Sequence, residues 1–204
     1  MKRNLRTSSL AWIPVLAIVA GCGQSIEMER LDPTTDLQYD TKWSHRDNQL
    51  AADQLVESLL AAPWIAEFTA LRPGERPVIV VDEVTNATAE HIDVRALTDM
   101  IQTKLVKSQR VRFLNKEARD AILEEYKYQS SGAVDPSRAV RTGRQEGAMY
   151  ILTGDLSSIQ STLGKKRIVT YKVTLQLTSL ESAVIEWTDD LEIAKHFEAS
   201  GTRL

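Results

Sequence analysis

The chain has 204 residues, 43% of them hydrophobic, with 25 basic and 28 acidic side chains, an ordinary balance for one folded domain with a tail. A formal net charge of −3 argues against nucleic acid as a partner, since a general binder needs a basic excess to displace counterions from phosphates. Cys22 is the single cysteine, so no internal disulfide is available and stability must come from packing.

Lys2, Arg3 and Arg6 precede an apolar run from Leu10 to Ala20. This is the layout of a secretory leader, and the run is too short for a membrane span, which needs about 20 apolar residues. Val19-Ala20-Gly21-Cys22 resembles the lipobox of bacterial lipoprotein precursors. That resemblance implies removal of residues 1–21, acylation of Cys22 (palmitate among the acyl chains), and an outer-membrane location on the periplasmic face, because Gly23 is not an inner-membrane-retaining aspartate. Without the leader, 22 basic residues face 28 acidic ones.

Residues 22–43, rich in acids and without a helical period, read as a flexible tether. Ser44 with Asp47 predicts a capped amphipathic helix to Ala61, carrying Ala51, Leu55 and Leu59 on one stripe and Ala52, Val56 and Leu60 beside it. A short helical turn follows from Trp64 to Leu71, before the breaker Arg72-Pro73-Gly74. Val78-Ile79-Val80-Val81 reads as a buried strand. Asp93 caps a helix with Val94, Leu97, Ile101 and Leu105 on one face, and Val111 to Leu114 reads as a second strand, completing a parallel βαβ unit.

Asn115 caps a helix bearing Ala118, Ile122 and Tyr126. Asp135-Pro136 and Gly147 then mark the start and stop of a further helix. Ala148 to Leu156 is placed as a central strand. Ile168 to Ser179 alternates, with Val169, Tyr171, Val173, Leu175 and Leu177 inward, and Val184 to Ile193 repeats this with Ile185, Trp187, Leu191 and Ile193. The predicted fold class is α/β: residues 44–204 form a mixed four- to five-stranded sheet with helices packed on it, parallel at its βαβ start and antiparallel in its C-terminal meander.

Catalytic equipment is missing from this pattern. His45, His91 and His196 show no metal-ligand spacing, and no nucleophile elbow or Walker loop occurs. Asp189 and Asp190 should point to opposite sides of a strand, and Glu124-Glu125 reads as a solvated helix face. No catalytic residue, metal, cofactor or small-molecule substrate is expected.

Taken in order, the strand and loop from Val80 to Asp93, the helix Ala96 to Leu105, and the segments Tyr128 to Pro136, Leu152 to Ile159 and Ile185 to Ile193 resemble the LpoB family of outer-membrane lipoproteins. The resemblance runs from about Trp43 to Ile193. It implies a fold similar to the N-terminal domain of TolB, and a regulator that binds and activates a class A penicillin-binding protein, the bifunctional peptidoglycan synthase. The alternative from another class is a CsgG-like lipoprotein in transport or secretion, since pore subunits of that kind share a comparable domain. A pore needs spare hairpins of about 9–11 alternating residues per strand, and the hairpin from Ala148 to Ser179 is already required to cover the core.

For partner binding, Arg138, Arg141 and Arg144 stand three apart on the helix expected after Pro136, forming one basic stripe. They read as a landing patch for an acidic surface of the synthase, or else as a solvated face. Tyr150 either extends that patch or is a core residue with its hydroxyl at the rim. The polar loop Thr85 to His91, at the carboxyl end of a central strand, is a second candidate surface, unless Asn86 and Thr88 simply organise a turn there.

Overall fold

The computed structural model of the protein describes Asp32 and residues 41–164 and 166–198. The leader, Cys22 and the tether up to residue 40, Asp32 excepted, lie outside the described residues, as do residues 199–204.

Helix α1 (His45–Ala61) begins where the sequence places it. Ser44 and Asp47 form a reciprocal capping box, with Asp47 Oδ2 accepting from the Ser44 backbone N–H at 2.7 Å. Such a cap contributes roughly 1 kcal/mol by satisfying two otherwise orphaned donors. The apolar stripe of α1 is buried together with Leu97, Ile101 and Leu105 of α3 (Val94–Ser108). The short α2 (Trp64–Leu71) follows α1 in the chain and buries Trp64, Ile65 and Phe68.

The strands are β1 (Val78–Val81), β2 (Thr85–Asn86), β3 (Arg112–Phe113), β4 (Tyr150–Leu163), β5 (Lys166–Ser179) and β6 (Ile185–Glu198). Five of them run in the order β3-β1-β4-β5-β6, and the two-residue β2 pairs with β4. β1 is parallel to both neighbours, as the βαβ unit requires, while β4, β5 and β6 form the expected antiparallel meander. The inward residues of β5, Val169 to Leu177, join α1 and α3 in one apolar cluster. Its opposite face, Thr170 to Thr178, is half-exposed. Burying each large aliphatic side chain of this cluster contributes roughly 1.5–3 kcal/mol, which is why the alternation fixes the strand's orientation.

Two expectations are corrected. Ile185 was placed on the inward face with Trp187, yet it is 52% exposed. The pairing jumps from Leu177↔Trp187 to Thr178↔Ile185, so one extra residue, Glu186, bulges out of β6 and reverses the phase before it. The helix expected after Asp135-Pro136 does not form: only a turn follows Asp135, with Ala139 N–H donating to its carbonyl at 3.1 Å, and Gly143 takes φ +77°. That segment has adjacent Ala139 and Val140 but no apolar stripe at helical spacing, and nothing to bury offsets the cost of ordering it.

The start of the domain is fastened to the far end of the meander. Lys195 on β6, with its side chain 4% exposed, is ion-paired with Asp47 and donates to the Lys42 carbonyl at 2.6 Å. Tyr171, fully buried, sets its hydroxyl 3.0 Å from the Thr41 carbonyl and 2.7 Å from Glu90 Oε1. Trp43 meets the Tyr171 ring edge-on at 5.3 Å and donates to Asn48 Oδ1 at 2.7 Å. Thr41 to Trp43 are thereby clasped by residues about 130 to 150 positions away in sequence.

Candidate functional site

Beyond β3 the chain makes one element that adds little to the core. Helix α4 (Arg119–Tyr128) buries none of its residues and runs into a π-turn over Gln129–Ala133. Asn115 Oδ1 accepts from the Ala118 N–H at 3.1 Å, so the asparagine organises the turn before the helix while Ala118 occupies the cap position itself. Lys116 is ion-paired with Asp82 at the end of β1, and this bond holds the Asp82 carboxyl below the usual carboxylate range.

The connection to β4 folds back onto α4. Gln129 Oε1 accepts from the Val140 N–H at 2.8 Å, and Gln145 donates to the Tyr126 hydroxyl at 3.4 Å. Asp135 Oδ1 accepts from the Ser137 N–H at 2.9 Å and its hydroxyl at 2.8 Å, which lowers the Asp135 pKa. These are local side-chain to backbone bonds of the Asx type, a geometry that competes with helix.

Charge on this segment is left uncommitted. Every other arginine among the described residues reaches a hydrogen-bond or ring partner. Arg119, Arg138, Arg141 and Arg144 have none, and Arg138, Arg141 and Arg144 are exposed. Apolar surface accompanies them: Leu123 is 53% exposed, Tyr128 57% and Val140 57%. Between β3 and α4 lies a cleft of about 470 Å³, lined by Phe113, Leu114, Ile122, Arg119, Arg144 and the Arg112–Glu146 pair. Arginine and tyrosine are enriched at interface hot spots, and a free guanidinium matches a carboxylate bidentately.

The sequence-derived candidates separate in space. Arg138, Arg141 and Arg144 share this connection without sharing a helix face. Tyr150 lies elsewhere: it packs edge-on against Trp64 at 5.3 Å and Phe68 at 6.3 Å, in a groove about 720 Å³ in volume beside α2. Its phenol is pushed up in pKa, first by burial and then by Glu186. Arg119 was missed because its place on a different predicted helix hid its proximity to Arg144; only the missing acidic neighbour on its own helix face was readable. In the Thr85–His91 loop, Asn86 Oδ1 accepts from the Thr88 N–H at 2.9 Å and its amide donates to the Glu90 carbonyl at 2.8 Å, so these side chains organise a turn. Trp187 is buried, as its alternation suggested.

Asp189 accepts from Ser58 of α1 at 2.5 Å, whereas Asp190 pairs with Lys172 at 3.3 Å on the other face. The two acids therefore do not converge. Among the described residues no group of three His, Cys, Asp or Glu side chains is placed to hold a metal ion.

Residues 47–193 match the family model described as "Peptidoglycan-synthase activator LpoB". Similar solved structures include the LpoB C-terminal domain from Salmonella enterica, at 17% identity and a TM-score of 0.44, covering 72% of this chain and 98% of that one. The LpoB C-terminal domain from Escherichia coli is 16% identical with a TM-score of 0.44, covering 73% and 99% respectively. Lipoprotein GNA1162 from Neisseria meningitidis is 14% identical with a TM-score of 0.34, covering 62% and 88%. No curated protein matches the chain.

Proposed function

The chain belongs to the LpoB family of peptidoglycan-synthase activators, and from that premise we propose that it binds and activates a class A penicillin-binding protein, held at the outer membrane by a lipid on Cys22. The observation that carries this reading is the span of the family match, which runs from Asp47 of the capping box to Ile193 in the last strand and so takes in β1 to β5, the first part of β6, all of α3 and all but the first two residues of α1.

An activator works by contact, and the segment from Arg119 to Arg144 has what a contact needs: uncommitted guanidinium groups beside exposed apolar side chains on an element its own core does not use. The synthase surface it faces is acidic. Charge complementarity of this kind raises the association rate and fixes orientation more than it adds raw affinity. The chain supplies no reacting group; the partner carries out glycan polymerisation and cross-linking.

The experiment is to add the purified lipoprotein to a class A penicillin-binding protein and measure co-purification and glycan synthesis. Stimulated synthesis supports the reading, and absence of both binding and stimulation refutes it. Charge reversal of Arg138, Arg141 and Arg144 to glutamate should lower stimulation at least tenfold while leaving the thermal melt unchanged, because none of the three side chains holds the fold. Incorporation of labelled palmitate, lost in Cys22→Ala, tests the anchor.

A further inference from the structure

A second concave surface lies between α2, the start of β4 and the β5–β6 turn. Its floor is aromatic, with Trp64, Phe68 and Tyr150 packed edge to face. Its lips are Leu71, 83% exposed, and Leu180, 51% exposed. The Trp64 indole N–H is already spent on the Leu59 carbonyl at 2.9 Å, so the ring presents carbon and π surface to the groove.

The charge around this groove is opposite in sign to that of the arginine face. Among the described residues, the Glu67, Glu181 and Glu186 carboxylates on its rim have no hydrogen-bond or ion-pair partner, and Arg72 is the one cation in its lining. That cation shows independently what the floor accepts: its guanidinium lies over the Phe68 ring, 5.5 Å from the centroid. Aromatic faces attract cations through the ring quadrupole, and nearby carboxylates add to the attraction. The raised pKa of the Tyr150 phenol, to which Glu186 and Glu181 contribute after burial, fits a negative local potential.

We propose that this groove receives a segment of the synthase in which an aliphatic side chain is flanked by lysine or arginine, a contact separate from the arginine face. The inference rests on the activator reading. The aliphatic group fills the space between Leu71 and Leu180 over the aromatic floor, and the flanking cation meets Glu181 and Glu186. A partner that engages both faces must present acidic and basic patches in a fixed relation, which selects it against proteins carrying either patch alone.

The test uses the full-length lipoprotein in detergent micelles and a purified class A penicillin-binding protein. Glu181→Lys with Glu186→Lys should weaken synthase binding at least tenfold, and Leu71→Ala about threefold. All three positions are exposed, so the melting temperature should hold. Wild-type binding with unchanged affinity in these variants overturns the groove and leaves the activator reading standing.

Failure of the wild type to bind the synthase refutes the activator reading instead. A capped Lys-Leu-Leu-Lys peptide, monitored through the Trp64 indole N–H resonance, then decides the groove chemistry. A saturable shift, absent with Glu-Leu-Leu-Glu, supports a basic apolar occupant, and no shift overturns it. If the variants instead abolish self-association in sedimentation and leave synthase binding intact, the occupant is a second copy of this chain and the proposal fails.

Discussion

Replacing Lys195 with methionine removes a buried cation while keeping most of the volume of its stem. In the wild type the ammonium is ion-paired with Asp47 and donates to the Lys42 carbonyl at 2.6 Å, with the two side chains 4% and 2% exposed. After the change Asp47 remains in the interior as an uncompensated carboxylate. Breaking one side of such a pair costs about 3–5 kcal/mol. Asp47 keeps two hydrogen bonds from Ser44, at 2.7 and 2.8 Å, which places the expected loss near the lower end, about 3 kcal/mol. A domain of this size loses roughly 2–4 °C in Tm per kcal/mol, so the melt should fall by about 10 °C. Urea unfolding is the assay, read as a lower midpoint at unchanged slope.

The double variant Lys195→Met, Asp47→Asn separates the ion pair from packing. An asparagine oxygen still accepts from the Ser44 N–H and no charge is left unpaired, so the double change should cost less than Lys195→Met alone. Tryptic cleavage after Lys42 gives a local readout, because the clasp must open before the protease can hold that backbone. It should accelerate in Lys195→Met and return toward the wild-type rate in the double variant. Lys195→Met within 1 kcal/mol of wild type, or a double variant as unstable as the single one, would refute the reasoning.

The Tyr171 pKa is raised by burial first and by Glu90 second, so the folded state resists ionisation that the unfolded chain allows near pH 10. The stability from this group is complete below that pH and is lost as pH rises above it; the wild type should therefore lose stability in alkali more steeply than Tyr171→Phe, and parallel curves would count against the assignment. Gly154→Ala should destabilise by about 1–3 kcal/mol in urea unfolding, since an added Cβ would lie 2.8 Å from the Thr174 carbonyl and collide with Leu175. Asn86→Ala removes the acceptor for Thr88 and the donor to Glu90; it should speed amide exchange at Thr88 and leave synthase stimulation intact, whereas lost stimulation with an unchanged fold would make that loop a contact surface.

The elements most legible in the sequence were those whose periodicity is enforced by burial. Val78 to Val81 reads as a covered strand because all four side chains are buried, and β5 reads as one-sided because its alternate residues meet α1 and α3. Where burial stops, so does the signal. The segment after Asp135 has signposts of a helix at both ends, yet no stripe between them joins a core, and Asx turns take over. Lys195 illustrates a different limit. It stands two residues from Ile193, in phase with Trp187 and Leu191, so the pattern itself puts a lysine inward. Its partner lies 148 residues away, and no local rule connects them. The same holds for Arg119 and Arg144, whose common cleft exists only once α4 folds beside β3.

The clasp also fixes the distance over which an anchored domain can act. Under the proposed lipidation of Cys22, no more than residues 23–40 separate the anchor from the clasp, because Thr41 is already held by Tyr171. Whatever its conformation, covalent geometry limits the path from Cys22 to Thr41 to about 65 Å, and a domain of this size adds roughly 30–40 Å. A partner anchored in the inner membrane must therefore project far enough to enter that radius. Deleting eight residues between Cys22 and Thr41 shortens the reach by about 27 Å and should abolish stimulation in cells, while leaving it unchanged with the same two proteins in detergent, where no gap has to be spanned. Lys195→Met combined with Tyr171→Phe should rescue part of the loss by freeing the Lys42 and Thr41 carbonyls, about 7 Å of chain, provided the domain stays folded at the assay temperature. Stimulation in cells that is indifferent to both changes would mean that the partner lies close to the outer membrane, and that the tether does not select it by reach.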